Sequence, residues 1–215
     1  MKDLNKFINE DEKRVKIKIC GITRDEDVKI VNEFKPDFIG VVFGESRRKI
    51  DFDVALKLKK ILDSDILSVG VFVNENISNI DFLVKNGSID LIQLHGDEDE
   101  KYINKLKELN PNTEIIKAIG IKDEEGFKDI NTDNIDYLLL DSGKGSGKSF
   151  DWNLIKNDLN KPFFLAGGIS QENLKEACKI RPFAIDLSSG AEKNGVKDYE
   201  LIKSIMEQIN MLNKV

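Results

Sequence analysis

Two side chains in this chain, a thiol and a carboxylate, stand where they could do chemistry. Cys20 ends the apolar part of V-K-I-K-I-C-G-I-T, Val15 to Thr23, in which apolar residues alternate with lysines before giving way to a thiol and a glycine. Asp141 ends the run Tyr137 to Asp141 and places a carboxylate at the mouth of an apolar strand. A thiol has an ordinary pKa near 8.5, closer to neutrality than a carboxylic acid's, so lowering it modestly gives a usable base. Desolvation at an apolar mouth raises a carboxyl toward the range useful for a general acid. Taken alone, a Cys is more often a small buried hydrophobe and an Asp more often a turn residue, so position in the fold must decide. Cys178 is the internal control: it falls within a helical pattern from Ser170 to Ile180 and reads as packing.

A second set of residues has the chemistry of anion binding. A-G-G-I-S holds Gly167 and Gly168, and D-L-S-S-G holds Asp186, Ser188, Ser189 and Gly190. Glycine lets backbone N–H groups approach a phosphate and serine hydroxyls add donors. Arg47 and Arg48 form a pair, and an arginine in a loop can grip a carboxylate through two parallel hydrogen bonds. Gln93 and His95 follow another apolar run; a lone histidine is as readily a packed or locally bonded side chain as a substrate contact. The segment G-K-G-S-G-K-S at 143–149 imitates a nucleotide-binding loop, but only three residues separate Gly143 from Gly147, where the phosphate-loop pattern needs four. It reads instead as a lid over a substrate, with Lys148 as an additional anion contact.

These positions share one property once the elements that must carry them are laid out. Apolar runs begin near residues 15, 37, 67, 89, 114, 135, 162 and 184, a spacing of roughly 24 residues that suits repeating βα units. Helical periodicity falls between them, over Asp25 to Phe34, Asp53 to Leu62, Asn76 to Lys85, Asp97 to Leu109, Asp123 to Ile130, Asp151 to Leu159, Ser170 to Ile180 and Asp198 to Leu212. Ser170 is expected to cap its helix. The strands are continuous apolar runs, as expected where both faces are covered. A doubly wound sheet would use five or six such units and leave a linker and a second domain, and no linker is visible. The fold class is therefore α/β, a single (β/α)8 TIM barrel over residues 15–215, preceded by an N-terminal extension over 1–14. Every candidate above then lies at a carboxyl end of a strand, the face where such barrels keep their active sites, with the phosphate loops after strands seven and eight.

Composition narrows the partners. With 215 residues and 40% apolar content the chain can bury a sizeable core, and a formal net charge of −6 argues against nucleic acid. Two cysteines cannot build a disulfide framework, and one histidine cannot supply a zinc site at the usual spacings. The expected setting is a reducing cytoplasm, with no membrane partner, no signal peptide and no bound metal.

The motifs K-I-C-G-I-T, G-V-F-V-N-E, Q-L-H-G, L-L-L-D, G-S-G-K-S-F-D-W, A-G-G-I and R-P-F-A-I-D-L-S-S-G, in that order, together resemble the phosphoribosylanthranilate isomerases of tryptophan biosynthesis. The resemblance runs from about Val15 to the end. It implies a cofactor-free Amadori rearrangement of N-(5-phosphoribosyl)anthranilate to 1-(2-carboxyphenylamino)-1-deoxyribulose 5-phosphate by a monomer or homodimer. It further implies Cys20 as general base, Asp141 as general acid, Arg48 on the anthranilate carboxylate, and the residues around Gly168, Asp186 and Ser188 to Gly190 on the phosphate. The loop F-G-E-S-R-R-K-I lacks the proline common in that family and is one residue short, which leaves Arg47 and Arg48 both open as the clamp. Other sugar-phosphate barrels, isomerase or epimerase, and a non-catalytic phosphometabolite-binding barrel are the alternatives.

Overall fold

The computed structural model describes residues 14–120, 133–141, 152, 155 and 159–214. Eight parallel strands close into a barrel in sequence order. They are β1 (Lys16–Cys20), β2 (Phe38–Val42), β3 (Leu67–Phe72), β4 (Leu91–Leu94), β5 (Ile115–Gly120), β6 (Tyr137–Asp141), β7 (Phe163–Leu165) and β8 (Ala184–Leu187). Between them run α1 (Asp25–Phe34), α2 (Phe52–Ile61), α3 (Ile77–Lys85), α4 (Glu100–Leu109) and α5 (Leu174–Lys179), and α6 (Tyr199–Leu212) follows β8. The expected helices at 123–130 and, almost entirely, at 151–159 lie outside the described residues, as do 1–13 and the loop at 143–149 with Lys148. No helix among the described residues is long and apolar enough to cross a membrane.

Strand pleating divides the apolar residues into two layers. One set, including Ile17, Ile19, Ile39, Ile92, Leu94, Leu138, Leu140, Ile185 and Leu187, packs with the helices in the larger core cluster. The alternating set, Phe38, Leu67, Val69, Leu91, Ile116, Tyr137, Leu139, Phe164 and Ala184, forms a second cluster that fills the barrel interior. Both faces of each strand are thus apolar, which is why the sequence reads as continuous runs.

At the amino end of the barrel the same device occurs three times. Asp37, just before β2, accepts hydrogen bonds from Ile17 N–H at 2.9 Å and Arg14 Nη1 at 3.1 Å. Asp90, just before β4, accepts from Ser68 N–H at 2.8 Å and pairs with Lys59. Asp136, just before β6, accepts from Ile115 N–H at 2.8 Å and from Lys107 Nζ at 2.8 Å. Each carboxylate ties the start of an odd strand to the next even one and is neutralised by a cation. Interactions at this face serve stability.

Two helix starts differ from expectation by more than one residue. The helix expected from Asp97 begins at Glu100, because Glu98 turns back to accept from Gly96 N–H at 3.0 Å and from Lys117 Nζ at 2.6 Å, leaving Asp99 to cap the helix through Tyr102 N–H at 2.8 Å. The helix expected from Ser170 begins only at Leu174. There Asn173 reaches back, accepting from Ser170 N–H at 2.9 Å and donating to the Gly168 carbonyl at 3.0 Å, so residues 171–173 form a turn that fastens the glycine loop.

Candidate active site

The period of two in a strand places Lys16, Lys18 and Cys20 on the inward side of β1. It does the same for Gln93 and His95 around the end of β4, for Leu139 and Asp141 on β6, and for Asp186 and Ser188 around the end of β8. The interior is therefore apolar at the bottom apart from Lys16, whose Nζ lies 4.3 Å from the centre of the Phe183 ring; it is charged one layer below the mouth, and lined at the mouth by a thiol, an imidazole, a carboxylate and a hydroxyl.

The thiol owes its place to a glycine. Cys20 is paired with Gly40 of β2, and a Cβ at position 40 would lie 2.6 Å from Cys20 Sγ. Cys20 is only 8% exposed. Burial pushes its thiol up, and Asp186 adds to this, while the Lys18 and Lys197 ammonium groups pull it back; the balance stays above the ordinary value. Those two cations therefore favour the thiolate that burial disfavours.

Lys18 is the buried hub beneath the thiol. It is wholly inaccessible and donates to Asp186 Oδ2 at 2.9 Å and to Gln93 Oε1 at 2.8 Å. Burial alone would lower its pKa, but Asp186 and Cys20 outweigh that and hold it above the usual lysine value, so it stays charged. Gln93, 1% exposed, then meets His95 Nδ1 through its Nε2 at 3.1 Å. His95 Nε2 lies 3.5 Å from Asp141 Oδ2. Gln93 and Asp186, both expected to touch substrate, thus direct their side chains to Lys18 below the mouth.

The loops after β7 and β8 are pressed together. Gly167 and Gly168 have φ of +89° and +64°, a region that side-chain-bearing residues rarely adopt. A Cβ at Gly190 would lie 2.0 Å from the Ile169 carbonyl oxygen, so only glycine permits this approach. Ser188 Oγ donates to the Cys20 carbonyl at 3.3 Å, joining the β8 loop to β1, and Ser189 opens a short 3₁₀ turn through Ala191. A two-stranded hairpin follows, from Glu192–Lys193 to Val196–Lys197.

That hairpin carries Glu192, the anchor of both candidate arginines. Arg48 crosses Gly21, where a Cβ would sit 2.2 Å from its Cδ, and donates from Nε and Nη2 to Glu192 at 2.6 and 2.9 Å. Arg47 also reaches Glu192 at 2.6 Å, but its side chain is 57% exposed against 19% for Arg48. Arg48 is therefore the one laid over Gly21, next to Cys20 in the chain, and its bonds to Glu192 use Nε and Nη2. Lys197 Nζ completes the group, at 2.8 Å from Glu192 and 3.0 Å from the Ser188 carbonyl. Burial works to raise the Glu192 carboxyl, yet the bonds from Arg48 and Lys197 prevail and hold it below its usual range.

Lys18, Lys197 and Glu192 went unmarked in the sequence. Lys18 had a readable signal: it stands two residues before Cys20 in a strand covered on both faces, so it must share the barrel interior. Glu192 had none, because a lone glutamate after the last strand looks like any solvated charge.

Comparison with known proteins agrees with this architecture. The family model described as N-(5'phosphoribosyl)anthranilate (PRA) isomerase matches residues 17–208. A relative from Endomicrobium trichonymphae named N-(5'-phosphoribosyl)anthranilate isomerase is 46% identical over 206 residues, covering 93% of this chain and 99% of the relative. The crystal structure of phosphoribosyl anthranilate isomerase from Thermotoga maritima superposes with a TM-score of 0.83 at 35% identity, covering 92% of this chain and 99% of that one. A further structure of such an isomerase, in complex with reduced 1-(o-carboxyphenylamino)-1-deoxyribulose 5-phosphate, matches with a TM-score of 0.77 at 31% identity over 92% of this chain and 99% of that one. On the family match over nearly its whole barrel, the chain belongs to the N-(5'-phosphoribosyl)anthranilate isomerase family.

Proposed function

We propose that this chain converts N-(5'-phosphoribosyl)anthranilate to 1-(2-carboxyphenylamino)-1-deoxyribulose 5-phosphate, the Amadori step of tryptophan biosynthesis, with Asp141 as acid and Cys20 as base. Asp141 protonates the furanose ring oxygen, the C1′–O bond breaks, and the nitrogen lone pair forms an open-chain Schiff base. Cys20, as thiolate, removes the C2′ proton, and the electron pair of that C–H bond moves toward nitrogen to give an enolamine. Tautomerisation gives the ketone. The proton lost from Asp141 and the proton gained by Cys20 balance over the cycle.

The single observation that carries this reading is a buried thiol and a carboxylate on one barrel mouth, with the thiol stationed over a charged lysine. The negative charge that forms on sulfur develops beside Lys18, and a fixed cation in a dry site stabilises it far better than water would. Arg48 receives the anthranilate carboxylate on the edge that Glu192 leaves open. The 167–168 and 188–190 loops receive the phosphate through backbone N–H groups and the Ser188 and Ser189 hydroxyls. In this reading the protein is cytoplasmic, works as a monomer or homodimer, and needs no cofactor.

The test is direct: the purified protein is offered phosphoribosylanthranilate and loss of the substrate's fluorescence is followed. Steady consumption supports the assignment; inert protein with intact fold removes it and leaves the non-catalytic binding barrel.

A further inference from the structure

We propose that Gln93 and His95 are positioning residues for Asp141, with the buried ammonium of Lys18 setting the Gln93 amide and thereby the His95 tautomer, so that His95 presents Nε2–H to the carboxylate. The chain of contacts is continuous: Asp186 Oδ2 to Lys18 Nζ at 2.9 Å, Lys18 Nζ to Gln93 Oε1 at 2.8 Å, Gln93 Nε2 to His95 Nδ1 at 3.1 Å, and His95 Nε2 to Asp141 Oδ2 at 3.5 Å.

Direction follows from what each group can do. An ammonium only donates, so the end of the Gln93 side chain that faces Lys18 must be its carbonyl oxygen. The NH2 end then faces His95, and because it too only donates, Nδ1 must accept. A neutral imidazole that accepts at Nδ1 carries its proton on Nε2, the nitrogen turned to Asp141. Gln93 cannot escape by rotating, since it is 1% exposed and Lys18 is wholly buried. The last contact is long for a hydrogen bond, as catalytic contacts often are before substrate closes the site.

The consequence is a fixed donor beside the group that cycles between acid and carboxylate. When Asp141 gives its proton to the furanose oxygen, the Nε2–H stabilises the carboxylate left behind and keeps the reacting oxygen aimed at substrate. His95 neither gains nor loses a proton. This kinetic half rests on Asp141 being the general acid; the tautomer half does not.

The chain contains a single histidine, so ring nitrogen-15 signals in labelled protein belong to His95 alone. The wild type should show Nε2 protonated and Nδ1 bare. Gln93→Glu keeps the shape and the acceptor toward Lys18 but replaces the donor facing His95 with an acceptor, so Nδ1 should become protonated. That variant should lose about 10- to 100-fold in kcat, less than losing an acid outright, with KM changed by no more than about threefold. His95→Phe should lose as much, and His95→Gln, whose amide can still donate to Asp141, should recover most of the rate. Either result decides the matter if Gln93→Glu fails to fold. The proposal is overturned if Nδ1 stays bare in Gln93→Glu, if kcat is unchanged while Nδ1 is protonated, if the loss falls on KM alone, or if His95→Gln is no better than His95→Phe. A wild type with the expected tautomer but no turnover would instead count against the isomerase reading.

Discussion

Replacing Lys18 by methionine should make Cys20 a poorer nucleophile without touching the thiol itself. Lys18 is fully buried two residues before Cys20 on the same inward side of β1, and it is the foremost of the influences that oppose the effect of burial on the thiol. Two unit charges roughly 4 Å apart attract by about 4 kcal/mol at an effective dielectric of about 20. That is a ceiling, because Lys197 remains and the neighbourhood relaxes. If a third to two thirds of it is lost, the thiolate population at fixed pH falls about tenfold to a hundredfold. The assay is the rate of iodoacetamide alkylation across pH in a Cys178→Ser background, with circular dichroism to confirm the fold. Lys18→Met leaves the Asp186 carboxylate without its ammonium, and Asp186 itself disfavours the thiolate. The double variant Lys18→Met/Asp186→Asn should therefore recover part of the lost reactivity. Alkylation at the wild-type rate in folded Lys18→Met would show that the lysine does not stabilise the thiolate, and would remove the electrostatic basis for Cys20 as base.

Cys178→Ala should retain activity, because burial pushes that thiol up to about 11 with no cation to offset it; strong loss in a folded variant would mean the wrong thiol was chosen. Asp90→Ala strands the Ser68 N–H and takes the carboxylate from the Lys59 ammonium at the barrel's amino end, and should cost about 2–3 kcal/mol in urea unfolding, with kcat preserved. Gly40→Ala places a methyl against Cys20 Sγ and should depress turnover more than stability; full activity would contradict the packing. Glu192→Gln should raise KM through loss of the Arg48 anchor. Since the folded Glu192 carboxyl titrates below its unfolded value, its contribution is present above about pH 4.3 and fades as pH falls through the lower folded value. The stability gap between wild type and Glu192→Gln should accordingly narrow in acid.

Much of this site could be read before any coordinates, and the reason is geometric. Eight apolar runs at regular spacing leave one arrangement that covers both faces of every strand, and that arrangement sends Cys20, His95, Asp141 and the 167–168 and 188–190 loops to one mouth. The helix Asp25–Phe34 was legible to the residue because its periodicity and its ends coincide. Ser170 was not: its Oγ accepts the Glu172 N–H as a cap would, but Asn173 reaches back to the Ser170 N–H and the Gly168 carbonyl, so residues 171–173 turn before the helix begins. Arg48 could not be told from Arg47 in one dimension; in the fold, Gly21 lacks a side chain and gives Arg48 a path across it, which leaves Arg48 the more buried of the two. The polar layer of Lys18, Gln93 and Asp186 is visible only when three strands distant in sequence are brought together. The resemblance to a known family implied roles for Cys20 and Asp141, whereas the hydrogen bonds among Lys18, Gln93 and His95 come from the fold itself.

The central claim is that Cys20 and Asp141 together perform the rearrangement, and it is tested most directly by the steady-state rate of phosphoribosylanthranilate consumption in three proteins of verified fold: wild type, Cys20→Ala and Asp141→Ala. The account predicts turnover by the wild type and a kcat lower by about 10²- to 10⁴-fold in each variant, with affinity for the reduced product analogue largely kept. A rate near that of the wild type in either variant would contradict it.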